Sequence, residues 1–147
     1  MLKKLSLGLV TLAALALAVS AVALAATSAS THVKATLNSG QEVPKQVVKA
    51  PNGKGTFTAT LDGSKLTWKL TFGKLSGSAG AAHIHLGRPG KAGAVAVSLC
   101  GPCASGASGS ITLSASQKKA ILGGGTYVNV HTAKNPNGEI RGQITKG

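Results

Sequence analysis

Thr56-Phe57-Thr58-Ala59-Thr60-Leu61-Asp62-Gly63-Ser64-Lys65-Leu66-Thr67-Trp68-Lys69-Leu70-Thr71-Phe72 decides the fold class. Apolar residues alternate with hydroxyl or basic ones on both sides of Asp62-Gly63, a dipeptide that favours a tight hairpin turn. Phe57, Ala59 and Leu61 face one way, and Thr56, Thr58 and Thr60 face the other. Past the turn, Leu66, Trp68, Leu70 and Phe72 share a face while Thr67, Lys69 and Thr71 point to water. One dry face and one wet face mark an antiparallel sheet covered on one side. The hairpin holds the only tryptophan and both phenylalanines. The core is therefore expected around Phe57, Leu66, Trp68, Leu70 and Phe72.

Working outward, further strands are expected at 32–37, 81–86, 94–99, 110–113, 126–131 and 140–144. Residues 39–55, with Pro44, Pro51 and Gly53, read as loop. Asn135-Pro136-Asn137-Gly138 carries the chemistry of a turn between the last two strands. The sole helical pattern is 114–122, one or two turns long, capped by Ser114 or Ser116 and stopped by Gly123-Gly124-Gly125. The expected fold is all-β: an antiparallel Ig-like or Greek-key β-sandwich, or a partly open barrel, of about seven or eight strands with one short helical turn, over residues 31–147.

Upstream lies a different kind of segment. Lys3 and Lys4 precede a long apolar run that ends in small residues around Ala23-Leu24-Ala25. That layout is a secretory signal peptide, 1–25, followed by a short disordered segment, 26–30. An uncleaved membrane anchor is the competing reading, because the run nearly reaches the ~20 residues of a spanning helix. After cleavage no membrane span is expected, and the domain is placed in the secreted, periplasmic or cell-surface space. Loss of Lys3 and Lys4 lowers the formal charge from +13 to +11, with only Glu42, Asp62 and Glu139 acidic. Such a surface attracts anionic envelope or matrix polymers. Specific nucleic-acid binding is not expected: the lysines are dispersed, aromatics do not interleave them, and the only arginines are Arg88 and Arg141.

Four pieces in order carry a family resemblance: Leu37-Asn38-Ser39-Gly40-Gln41-Glu42-Val43-Pro44, Ala82-His83-Ile84-His85-Leu86-Gly87, Tyr127-Val128-Asn129-Val130-His131-Thr132, and Asn137-Gly138-Glu139-Ile140-Arg141-Gly142-Gln143-Ile144. Together they resemble the chordin-type domain, often called the CHRD domain, in the form of a single-domain secreted bacterial member. The resemblance spans 32–145. It implies a secreted or cell-surface β domain, repeated in the animal developmental antagonist chordin and single in many bacterial proteins. It implies no settled activity. The chain lacks chordin's cysteine-rich modules, so a growth-factor-binding role does not carry over.

The functional lead is the histidines. His83 and His85 are two apart, so in a strand both project to one face. His131 sits near the end of another strand, on the face it shares with Tyr127 and Asn129, and His32 begins the first strand. Neutral imidazole suits copper and zinc. The expected site is His83, His85 and His131, with His32 as a fourth ligand, holding copper first and zinc second. The His-x-His strand loosely resembles that of copper–zinc superoxide dismutases. It lacks their histidine- and aspartate-rich zinc loop and bridging histidine, so binding without turnover is expected. The competing reading is an adhesion or structural module that holds anionic polymers, its histidines merely hydrogen-bonded. Tyr127 is either a hydroxyl beside the ligands or plain packing. Glu139 and Arg141, two apart on one face, are expected to form a cross-strand ion pair or anchor a loop, with ligand contact as the alternative reading.

Cys100-Gly101-Pro102-Cys103 spells a thioredoxin-like quartet, but loop follows it instead of the helix such a motif needs. A local disulfide is expected in an oxidising compartment, with thiolate ligation of a metal as the alternative. No phosphate-binding glycine loop, hydrolytic triad or carboxylate pair is present as a local signal, which argues against an enzyme.

Overall fold

A computed structural model describes residues 29–45 and 52–147. The expected signal peptide, 1–25, lies outside the described residues.

The elements are β1 (Thr31–Asn38), a single 3-10 turn (Ser39–Gln41), β2 (Lys54–Asp62), β3 (Lys65–Gly73), β4 (Ala79–Leu86), β5 (Val95–Cys100), β6 (Ala107–Thr112), α1 (Ala115–Leu122), β7 (Thr126–Thr132), β8 (Asn135–Gln143) and β9 (Thr145–Lys146). They form one antiparallel sheet in the order β5-β4-β7-β8-β1-β2-β3-β6, curled into a nearly closed barrel. The partly open barrel is thus the arrangement adopted. β9 continues the last strand and switches its pairing to β1.

The β2–β3 hairpin follows the sequence pattern along its whole length, from Lys54↔Gly73 to Asp62↔Lys65. Its two-residue turn is Gly63-Ser64, one residue later than Asp62-Gly63. Gly63 takes φ +57° at the first central position, where a type II′ turn places glycine. Phe57, Leu66 and Leu70 are fully buried and Trp68 nearly so, while Phe72 packs only partly against them. Full burial of side chains of this size stabilises by about 1.5–3 kcal/mol each. Val33, Leu37, Ile84, Val128, Val130, Ile140 and Ile144 complete the interior.

The open seam lies between β5 and β6, which are consecutive in sequence. Cys100 and Cys103 are bonded across the end of β5, with sulfurs 2.13 Å apart, as expected for a local disulfide. The Cys103 N–H donates to the Ala79 carbonyl, tying the loop back to β4. The short helix α1 has the capping box of Ser114 and Gln117, and Gln117 Nε2 also donates to the Ala96 carbonyl of β5. Ile121 is its buried contact with the interior.

Asn135-Pro136-Asn137-Gly138 is not the reversal that its composition suggests. Ala133-Lys134 make the turn, closed by Thr132↔Asn135. The four residues instead begin β8 across a register irregularity. Gly138 takes φ +126° there, and a Cβ on it would meet the Asn129 side chain at 2.4 Å. Buried hydrogen bonds explain why the turn moved. The Glu139 carboxylate accepts from Ser76 N–H and Oγ, Thr132 Oγ1 and Asn135 Nδ2, and so fixes both ends of the Ala133-Lys134 reversal.

Candidate metal centre

The apolar residues of β4 and β7 fill the barrel, so their alternate residues project from its outer side. His83 and His85 lie on that side of β4 and Tyr127, Asn129 and His131 on that side of β7. The register pairs His85 with Tyr127, His83 with Asn129 and Ala81 with His131. His131 therefore stands diagonally from His83, within reach of a long side chain. It also occupies the irregularity between Val130↔Ile140 and Thr132↔Asn135. Such bulges re-aim side chains.

One ring nitrogen from each of His83, His85 and His131 lies within 4.8 Å of the other two. The rings cluster with centroid separations of 5.6 Å (His83–His85), 4.9 Å (His83–His131) and 5.6 Å (His85–His131). His32 is not brought to this group. It is exposed at the start of β1, and its Nδ1 contacts Thr60 Oγ1 at 3.1 Å. Position at a strand end says nothing about which end of the sheet that strand will meet.

Hydrogen bonds fix the tautomers. His85 Nδ1 is 3.0 Å from the Gly93 carbonyl and His131 Nδ1 is 3.0 Å from the Pro136 carbonyl. A carbonyl can only accept, so both Nδ1 atoms carry protons and both Nε2 atoms hold bare lone pairs in the neutral rings. His85 Nε2 is buried with no hydrogen-bond partner. His83 Nδ1 lies 3.1 Å from His131 Nε2. In the metal-free state His83 must be the donor of that bond. Moving its proton to Nε2 would free Nδ1 as the third ligand atom. Two nitrogens bound to one tetrahedral ion stand ~3.3 Å apart, close to the observed 3.1 Å. Backbone carbonyls that hold the far nitrogen of a ligating imidazole are the usual outer support of such sites.

All three rings are held neutral. Burial lowers the pKa of His83, and His85 adds to the effect. Burial lowers that of His85 against its bond to Gly93, with Arg141 adding to the fall. Burial likewise lowers that of His131 over its bond to Pro136, helped by His83 and His85. Neutral imidazole is the form that binds metal.

Around the three histidines runs a stacked ladder. The Tyr127 ring lies 5.0 Å from His85 at 10°, and the Arg141 guanidinium sits 3.5 Å over the Tyr127 ring. Arg141 Nη2 donates to the Arg88 and Lys91 carbonyls, and the Gly93 N–H donates to the Tyr127 hydroxyl. Arg141 and Tyr127 thus position the loop 87–94 whose Gly93 carbonyl orients His85. Tyr127 both packs and anchors. Among the described residues Glu139 and Arg141 have separate partners: Glu139 holds Ser76, Thr132 and Asn135, and Arg141 holds the 87–94 loop.

Glu42 is a second buried acid, one that no local sequence pattern marks as part of the site. It is buried beside Asn129, whose Nδ2 donates to it at 3.3 Å. Burial raises its pKa to about 7, against the Asn129 bond and Arg141, with Glu139 raising it further. Its place within Gln41-Glu42-Val43-Pro44, one of the pieces carrying the resemblance, was the available signal.

A family model for the CHRD domain matches residues 33–144, which runs from within β1 to just past the end of β8. A search of the curated proteins and of the solved structures found no match.

Proposed function

This chain belongs to the CHRD-domain family, and we propose that it binds a transition metal ion through His83, His85 and His131 without turning over a substrate. The observation that carries the reading is the convergence of three neutral imidazoles, two of them with Nδ1 already committed to carbonyls. Copper ranks first and zinc second, following the order in which imidazole-rich sites hold divalent ions. When bound, such an ion would be held by three protein ligands with one position left for solvent. Binding without turnover is supported by Glu139, whose carboxylate is tied to Ser76, Thr132 and Asn135. The same reading places the domain outside the cytoplasm, supported by Lys3, Lys4 and the apolar run behind them. N-terminal sequencing of exported protein should then begin near Ala26.

The test is titration of metal-stripped protein with Cu(II) and Zn(II). His83→Ala and His131→Ala should each weaken binding by more than about a hundredfold, beyond the 10–100-fold typical of a lost supporting contact. His32→Ala should leave affinity unchanged. Equal affinity in native protein and the His83 and His131 variants would refute the site.

A further inference from the structure

On the far side of the barrel from the histidines, β1, β2, β3 and β6 expose a continuous outer face. Its central row, in register across the four strands, is Lys34, Thr58, Lys69 and Ser108. The next row is His32, Thr60, Thr67 and Ser110. On the other side Thr36, Thr56 and Thr71 form a third. These side chains are exposed or half-exposed. Several hydroxyls are braced across strands: Thr56–Thr71 at 2.6 Å, Thr60–His32 at 3.1 Å and Thr67–Ser110 at 3.2 Å. A groove of about 540 Å³ crosses the strands between Lys34 and Ser108, lined also by Thr58, Thr60, Thr67 and Lys69. Three strand spacings make it ~14 Å long.

We propose that this face binds an anionic polysaccharide, a chain of sugar rings bearing carboxylates or sulfates. The sheet supplies the two kinds of contact such a polymer needs. Lys34 and Lys69 stand two strands apart, ~10 Å at their roots, and face its charges. The threonine and serine hydroxyls between them both donate and accept, as sugar hydroxyls do. Charge complementarity is unusually complete. Of the three acids in the chain, Glu42 and Glu139 are buried, so Asp62 is the only side-chain carboxylate on the surface, and it is in register with Lys65. Phe57 and Trp68 are buried and Phe72 packs partly against the core, so Trp68, although it borders the groove, exposes too little ring for a base to stack on. Single-stranded nucleic acid is held largely by stacking on aromatic rings, so this face suits a glycan better. The inference is independent of the metal site, which lies on β4 and β7.

The test measures retention of the purified protein on polygalacturonate and on dextran sulfate, with neutral dextran and single-stranded DNA as comparisons. Native protein should bind either or both charged glycans, more weakly as salt rises, and leave neutral dextran unbound. Lys34→Gln/Lys69→Gln should weaken glycan binding about thirtyfold, at the ~1 kcal/mol per lysine typical near an anionic surface. Lys119→Gln/Lys134→Gln removes the same charge elsewhere and should change it only severalfold. Thr58→Val/Thr67→Val keeps every charge and every branched Cβ, and should weaken binding about fivefold or more through lost hydrogen bonds. Zinc titrations of all three variants should match native protein, which separates this face from the histidine site. Equal losses in the two lysine pairs, undiminished binding by the threonine variant, DNA held as tightly as the glycans, or failure to retain either glycan would each overturn the proposal.

Discussion

Glu42→Gln should make the protein more stable at alkaline pH by an amount set by the environment of this one carboxyl. Glu42 is only 2% exposed. Burial lifts its pKa from 4.5 to about 7. A folded-state pKa above the unfolded value means that the fold favours the protonated acid. Its contribution is complete below pH 4.5 and is lost as pH rises through about 7. At 1.36 kcal/mol per pH unit, that loss comes to about 3 kcal/mol by pH 8. Glutamine keeps the shape, and its carbonyl still accepts from Asn129 Nδ2. It carries no charge to bury at any pH. Urea unfolding of metal-free native and Glu42→Gln protein at pH 4, 6 and 8 measures the effect. The variant should match the native protein at pH 4 and exceed it by about 3 kcal/mol at pH 8. The three histidines act oppositely: with folded pKa values lowered, their contribution is present above pH 6.5 and lost as pH falls. They are common to both proteins and cancel in the difference. A difference that stays flat with pH, or a variant less stable at pH 8, would refute the reasoning.

Metal affinity should hold from pH 8 to about 6.5 and decline only below it, because burial keeps all three imidazoles deprotonated past their ordinary value; Zn(II) titrations at stepped pH check this. Gly138→Ala should cost about 1–3 kcal/mol from its φ of +126° and more from the 2.4 Å contact with Asn129. Thermal unfolding reads the loss, and weaker zinc binding should accompany it because Pro136, two residues away, orients His131. Paired Cys100→Ser and Cys103→Ser changes should cost about 2 kcal/mol for so short a loop, and native protein should resist alkylation until reduced.

Local period-two patterning made the hairpin of β2 and β3 legible, because each side chain's face there is set by its immediate neighbours. The same rule put His83 and His85 on one face. The partnership of β4 with β7 is a long-range pairing, with helix and two strands intervening, and no local pattern specifies it. The misread elements were decided by contacts distant in sequence. Asn135-Pro136-Asn137-Gly138 has turn chemistry, yet Glu139 closes the turn three residues earlier by gathering Ser76, Thr132 and Asn135. His32 shares with the cluster its residue type and a place at a strand end, but strand order sends it to the opposite face. The Gly93 and Pro136 carbonyls that orient His85 and His131 are backbone atoms, and residue type does not reveal them.

The distribution of charge connects the two proposed sites. Most proteins that capture a divalent ion with carboxylates gather acids around it, as calcium and magnesium sites require. Here two of the three acids are buried and engaged with the fold, and the third stands at a distant hairpin. Arg141 lies close enough to His85 to oppose positive charge there. A hard cation held mainly by charge would find no counter-charge at this cluster. An ion that gains most of its affinity from directed bonds to imidazole nitrogen can tolerate the field, which beyond about 8 Å is screened in physiological salt. The surroundings of the histidines therefore support the proposed preference for copper and zinc over calcium and magnesium. The same scarcity of surface acid leaves Lys34 and Lys69 without carboxylates to compete with an anionic polymer.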